Sequence, residues 1–347
     1  MCEVTDEKIT NKYMQNQYLK KLILMFGYNP NLIIGKNESF TMKGSTLNDL
    51  LDLSTLFKFN ECLKENPNID LHDQLKKTIQ KFEELRGRPC LIYYSSTSNI
   101  EGHYPINVNI INQDVDSLYD SLNNNDKFLN YNEIDFVLNT PGGYIESANQ
   151  IINLLRKRFK VVNIIVPRMA FSAGTIISLG GDEIVVLDKS TFSMVNPSIN
   201  NIDTYYLKRI NFFSHIFSYI YDKKYRKDFR ISPSIQAYKA EKNIKIILTN
   251  LLNNYAIKEK NLIKKFFIVR NIVNKLTNYE NYYSHQYPIS VNDLMNLGLN
   301  IVEAKNDLKK LMQQIDVINK NLLKQHDLAK LIITDVDLIY SKAIYTN

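Results

Sequence analysis

Between Cys90 and Asp188 the chain alternates, at close spacing, between short runs of strand-forming apolar residues and amphipathic stretches. "CLIYYSS" is followed by "DVDSLYDSLNN", "IDFVLNT" by "SANQIINLLRKRF", "VVNIIVP" by "SAGTIISLGG", and "EIVVLD" closes the series. The first member of each pair is too short for a core helix and too uniformly apolar for a half-exposed strand. The second has helical spacing of its apolar residues. Repetition of that pair predicts βαβ units and a mostly parallel sheet buried on both faces. Upstream, Leu75–Leu85 has helical periodicity and "RGRP" ends it.

Glycine is scarce in the chain, with eleven residues in all, yet Gly142, Gly143, Gly174, Gly180 and Gly181 fall within this region. Thr140-Pro141-Gly142-Gly143 lies between a strand and a helix, where α/β folds place their ligands. Bare backbone there leaves N–H groups uncovered, free to stabilise an oxyanion or to bind an extended peptide. Ser172-Ala173-Gly174 opens the helix after the next strand, so Ser172 lies beside unpaired amides. The small residues 173, 174, 180 and 181 let that helix approach the sheet. Taken singly, Ser172 is a good N-cap and "PGG" a turn. A hydroxyl and two sets of free amides at successive strand ends are the minimum set for acyl transfer.

The motifs "TPGG", the following helix with Ala148, and "VPRMAFSAGTIISLGGDEIVV" resemble the serine dehydrogenase proteinase family, within the superfamily of ClpP, SppA and the crotonases. The resemblance extends through "RPCLIYYSS" upstream and "SIQAYKAEKNIKIILTNLL" and "YSHQYPISVNDLMNLGLNI" downstream, over roughly residues 75 to 305. It implies an α/β fold with a ClpP/crotonase-like core, and a serine peptidase acting through an acyl-enzyme. Ser172 would be the nucleophile, Gly143 and Ala173 the oxyanion-hole amides, and Gly142 and Gly143 the support of the substrate backbone.

The general base is left open between two residues. Asn196 occupies the place where ClpP carries its histidine and where this family usually carries an acid. It cannot accept a proton at neutral pH and is read as a substrate contact. His285, in "YSHQYPIS", matches a family histidine, and an ordinary pKa near 6.5 suits a base. Lys239, in "AYKAEKN", matches the lysine of a Lys-Ala pair, and a lysine base requires burial. His72, His103, His215 and His326 have less to recommend them.

Three domains or segments are expected. Residues 1–74 form a helical or irregular extension, 75–305 the catalytic domain with a helical segment at 201–280, and 306–347 a helical tail. Ser290 is expected to cap the closing helix.

No GxGxxG follows a strand, so no nicotinamide cofactor is expected, and no metal-type spacing is present. The net charge of +7 is dispersed, which argues against nucleic acid. Cys2, Cys62 and Cys90 form no disulfide framework, and no apolar run is long enough to span a bilayer. The expected setting is cytoplasmic, with a peptide or protein substrate. The resemblance adds a homo-oligomer, and the lack of an ATPase motif leaves any unfolding energy to a separate ATPase or regulatory partner. The competing readings are a catalytically silent ClpP-like scaffold or peptide-binding module, crotonase-type acyl-CoA chemistry, and an α/β-hydrolase.

Overall fold

A computed structural model describes residues 70–97, 107–199, 202–207, 233–282, 284–285 and 287–344. The expected extension at 1–74 lies almost wholly outside the described residues.

Helix α1 (Leu71–Arg86) begins at Asp70, whose carboxylate accepts the amides of His72 and Asp73, and ends at Gly87 in the left-handed conformation. Its apolar positions Leu71, Leu75, Ile79 and Phe82 recur at helical spacing and are all buried. Strand β1 (Cys90–Ser95) follows, then α2 (Asn112–Asn124), β2 (Glu133–Asn139), α3 (Ile145–Arg158) and β3 (Val161–Val166). The two-residue strand β4 (Met169–Ala170) leads into α4 (Ala173–Leu179), then β5 (Glu183–Val186) and β6 (Thr191–Phe192).

A hairpin of β7 (Ser198–Ile199) and β8 (Ile202–Asp203) precedes two long helices, α5 (Pro233–Leu251) and α6 (Leu262–Thr277). Strand β9 (Ile289–Ser290), α7 (Val291–Asn296) and β10 (Ile301–Glu303) close the core, with Ser290 capping α7 as expected.

With β11 (Leu328–Ile333) and β12 (Leu338–Lys342), the main sheet has seven strands in the order β10-β5-β3-β2-β1-β11-β12, and its first five strands are parallel. Alternate residues of the central strands enter two cores. Tyr93, Phe136, Leu138, Ile164 and Val186 face α2, α3 and α4. Ile92, Tyr94, Val137, Ile165 and Val185 face α1 and α8 (Asn306–Gln325). Burial of both faces is why these strands read as continuous apolar runs rather than alternating ones. Asp135 of β2 is fully buried and is gripped by Arg86 (Nε–Oδ2 2.6 Å) and Asn163 (2.8 Å), which satisfies a charge that burial alone would make costly.

Two expectations need correction. The tail is helical only through Gln325. There the chain turns at Asp327, in the left-handed conformation, and returns as β11 (Leu328–Ile333) and β12 (Leu338–Lys342). Strand β11 pairs antiparallel with β1, Ile92 opposite Ile333, so the tail widens the sheet. A left-handed aspartate ends the helix without the glycine that usually marks such a stop in sequence. The segment from 201 onward is also not purely helical, because β8 opens it, and β8 carries a residue important below.

Among the described residues no helix is long and apolar enough to cross a membrane.

Candidate active site

The loops leaving β2 and β3 are stitched side by side. Thr140 N–H donates to Met169 O (3.0 Å), and Phe171 N–H donates to Thr140 O (3.1 Å). A Cβ placed on Gly142, which has φ +111°, would lie 2.9 Å from both Phe171 O and Ser172 Cβ. Only glycine permits that approach. Gly143, at φ +152°, has the same constraint on its other side, since its Cβ would lie 2.7 Å from Ile110 Cα and closer still to Ile110 N and O. The "TPGG" loop is therefore wedged between the backbone at Ile110 and the turn that carries Ser172.

Ser172 stands at φ +51°, ψ −111°, a conformation that non-glycine residues avoid at a cost of about 1–3 kcal/mol. It occupies the N-cap position of α4, yet its hydroxyl makes no capping hydrogen bond. The ordinary explanation for a serine at a helix start is thus removed by the geometry. The turn is held from behind. Ser172 N–H donates to Ser193 Oγ (2.8 Å), and the single proton of Thr175 Oγ1 is shared between Ala170 O (2.7 Å) and Ser193 O (3.0 Å). Among the described residues, the amides of Gly143 and Ala173 donate to no backbone carbonyl. A Cβ on Gly142 would lie 3.5 Å from Ala173 N, which places the two donors on adjoining segments.

A small sheet delivers a histidine to the same edge. Strand β4 runs parallel to β6, with Ala170 opposite Phe192, and β6 runs antiparallel to β9, with Phe192 opposite Ile289. Chain leaving β4 reaches Ser172, and chain leaving β6 reaches Ser193. Because β9 is antiparallel, the chain entering it, which includes His285, arrives at that same end. Burial pushes the His285 pKa below its ordinary 6.5, opposed by the nearby Asp203 carboxylate. The imidazole is therefore predominantly neutral at pH 7, as a base must be.

Asp203 was not foreseen. It ends β8, and burial raises its pKa, opposed by hydrogen bonds from the Tyr205 amide (2.8 Å) and the Asn196 side chain. Asn196, read from the sequence as a substrate contact, is bonded to this carboxylate. Asn196 is only 4% exposed, its amide nitrogen donates to Asp203, and its amide oxygen accepts from Thr204 Oγ1 (3.3 Å). The residue holds a carboxylate in place and also lines a cavity beside Tyr205, Glu241 and Tyr279. Signals for Asp203 in sequence were weak, since it lies seven positions beyond Asn196 in a segment read as helical. Lys239 sits on the exposed face of α5, without the burial that a lysine base depends on.

A strained, half-buried serine, two amides that donate to no backbone carbonyl and a histidine under the influence of an aspartate carboxylate thus gather at one end of the small sheet. The ClpP-like SDH-type serine proteinase family matches residues 105–334, and the chain belongs to that family. Two uncharacterized proteins of Methanocaldococcus jannaschii are 26% identical over 173 residues and 27% identical over 187 residues. These matches cover 48% and 52% of this chain and 51% and 59% of the relatives, so the chain spans about half the length of the curated relatives it matches.

Among solved structures, ClpP1 from Listeria monocytogenes has a TM-score of 0.38 at 13% identity, covering 66% of this chain and 98% of that one. A mutant of the 1510-N membrane-bound stomatin-specific protease, in complex with a substrate peptide, has a TM-score of 0.38 at 16% identity, covering 69% and 84%.

Proposed function

We propose that the protein is a serine peptidase that cleaves peptide bonds through an acyl-enzyme on Ser172. The observation that carries this reading is the strained backbone of Ser172 together with a hydroxyl that caps nothing. His285 takes the Oγ proton as Oγ bonds to the scissile carbonyl carbon. The carbonyl oxygen becomes an oxyanion held by the Gly143 and Ala173 amides. The proton then passes to the leaving amine as the C–N bond breaks, and water repeats the sequence to release the acid. Asp203, held by Asn196, orients the imidazole and stabilises its protonated form. Gly142, read from the sequence as a substrate contact, has both backbone groups engaged, its N–H by Thr140 Oγ1 (3.1 Å) and its carbonyl by Ile110 N–H (2.8 Å), so contact with the substrate backbone falls to Gly143.

The same proposal includes a homo-oligomer in a cytoplasmic setting, working with a separate ATPase or regulatory partner.

Hydrolysis of a fluorogenic peptide library by the full chain tests it. Ser172→Ala and His285→Ala are each expected to lower kcat by about 10³-fold or more, and Asp203→Asn by about 10²-fold or more. Peptide binding without turnover in the wild type would place the protein among binding modules instead. Unchanged turnover in His285→Ala would overturn the assignment of the base.

A further inference from the structure

Strand β11 reads "LAKLII", with one charge inside an apolar run. That residue, Lys330, is only 4% exposed. A buried ammonium is tolerable only when fully paired, and a lysine has three protons to place. Lys330 Nζ has three acceptors: Asp114 Oδ1 (2.7 Å), Asp114 Oδ2 (2.9 Å) and Asn109 O (3.1 Å). Asp114, also buried, accepts from the Ile111 amide (2.8 Å) and from Tyr93 Oη (3.0 Å).

None of these side chains is bonded to Ser172. They grip the two residues flanking Ile110. Ile110 N–H donates to Gly142 O (2.8 Å), and Ile110 O accepts from Tyr144 N (2.9 Å). In a trans peptide the C=O and N–H bonds point in opposite directions. A Gly142 carbonyl tied to Ile110 therefore turns the Gly143 N–H away from Ile110, toward the side on which Ser172 lies. Two successive glycines leave the dihedrals on either side of this peptide unusually free. Its orientation needs an external tie, and Ile110 supplies one only while its own segment is fixed.

We propose that Lys330, Asp114 and Tyr93 are positioning residues that lock the Gly142–Gly143 peptide so that the Gly143 amide aims at the oxyanion. The inference rests on the acyl-enzyme reading of Ser172.

The test compares the wild type with Tyr93→Phe, which removes one hydrogen bond, and with the charge-neutral double variant D114N/K330M. Active sites are titrated with a fluorophosphonate. Then kcat and KM for a fluorogenic peptide, and the Ki of a peptide aldehyde whose hemiacetal mimics the oxyanion, are measured per titrated site. Loss of a whole oxyanion donor costs about 10²–10³-fold in kcat, so a loosened donor is expected to cost about 10-fold in Tyr93→Phe and about 10²-fold in the double variant. KM should stay within about two-fold, and the aldehyde Ki should rise by the same factor as kcat/KM falls.

A purely structural role would lower the titratable fraction or the melting temperature while leaving kcat per site and the aldehyde Ki unchanged, and that result overturns the inference. If the double variant does not fold, Tyr93→Phe decides alone. A wild type that is never titrated at Ser172 sinks the underlying reading as well, whereas a titrated wild type with indifferent variants sinks only this one.

Discussion

Replacing Ser172 by glycine should make the protein more stable than replacing it by alanine, although both changes remove the nucleophile. The reasoning starts from φ +51°, ψ −111° at this residue. Alanine keeps the Cβ and therefore keeps the strain, about 1–3 kcal/mol for a non-glycine residue in a sparsely populated region. Glycine relieves it, but gives back roughly 0.5–1 kcal/mol through the greater freedom of the unfolded chain.

Mid-range values leave a net gain of about 1 kcal/mol for Ser172→Gly over Ser172→Ala, or roughly 2–4 °C in Tm. Calorimetry on the two variants, repeated as a urea titration to check that m is unchanged, would measure it. Both proteins should be inert toward a fluorophosphonate. If Ser172→Gly melts at or below Ser172→Ala, the residue is not strained, and the claim that stability is given up there for reactivity fails.

Gly143→Ala should lower kcat by about 10²-fold or more, because the new Cβ collides with Ile110 and displaces an oxyanion donor; kcat for a fluorogenic peptide measures this. The acid limb of the kcat/KM profile should lie below pH 6.5, since burial lowers the His285 pKa and activity is lost as the imidazole gains its proton. Asp203 opposes that lowering, so Asp203→Asn should move the limb to still lower pH while reducing kcat; a shift to higher pH would contradict the pairing. Asn196→Ala should reduce kcat with KM nearly unchanged if its task is to hold Asp203, and a raised KM would return it to the substrate site. Lys239→Ala should leave both constants within about two-fold, as expected for an exposed lysine.

The sheet was legible because its strands are buried on both faces, and a strand in that setting must be apolar throughout. The glycines at 142 and 143 were legible because backbone geometry demands them there: a Cβ on either would strike neighbouring backbone. Asp203, Asn196 and the Lys330–Asp114 pair were not legible. Lys330 and Asp114 are 216 residues apart, and Asp203 meets Asn196, seven positions away, through a short hairpin inside a segment that reads as helical. No local periodicity records such a partnership. The tail strands escaped notice for a different reason: the helix before them stops at Asp327, whose left-handed backbone leaves no glycine to read. The positive φ of Ser172 is likewise invisible in sequence, since serine is common at helix starts.

Whether Ser172 is an activated nucleophile is tested most directly by intact-mass analysis after treatment with a fluorophosphonate probe, on the wild type and Ser172→Ala side by side. A single adduct on the folded wild type, absent from Ser172→Ala and weakened in His285→Ala, is the predicted result. A folded wild type that takes up no probe, or one labelled equally well without Ser172, would contradict the proposed chemistry.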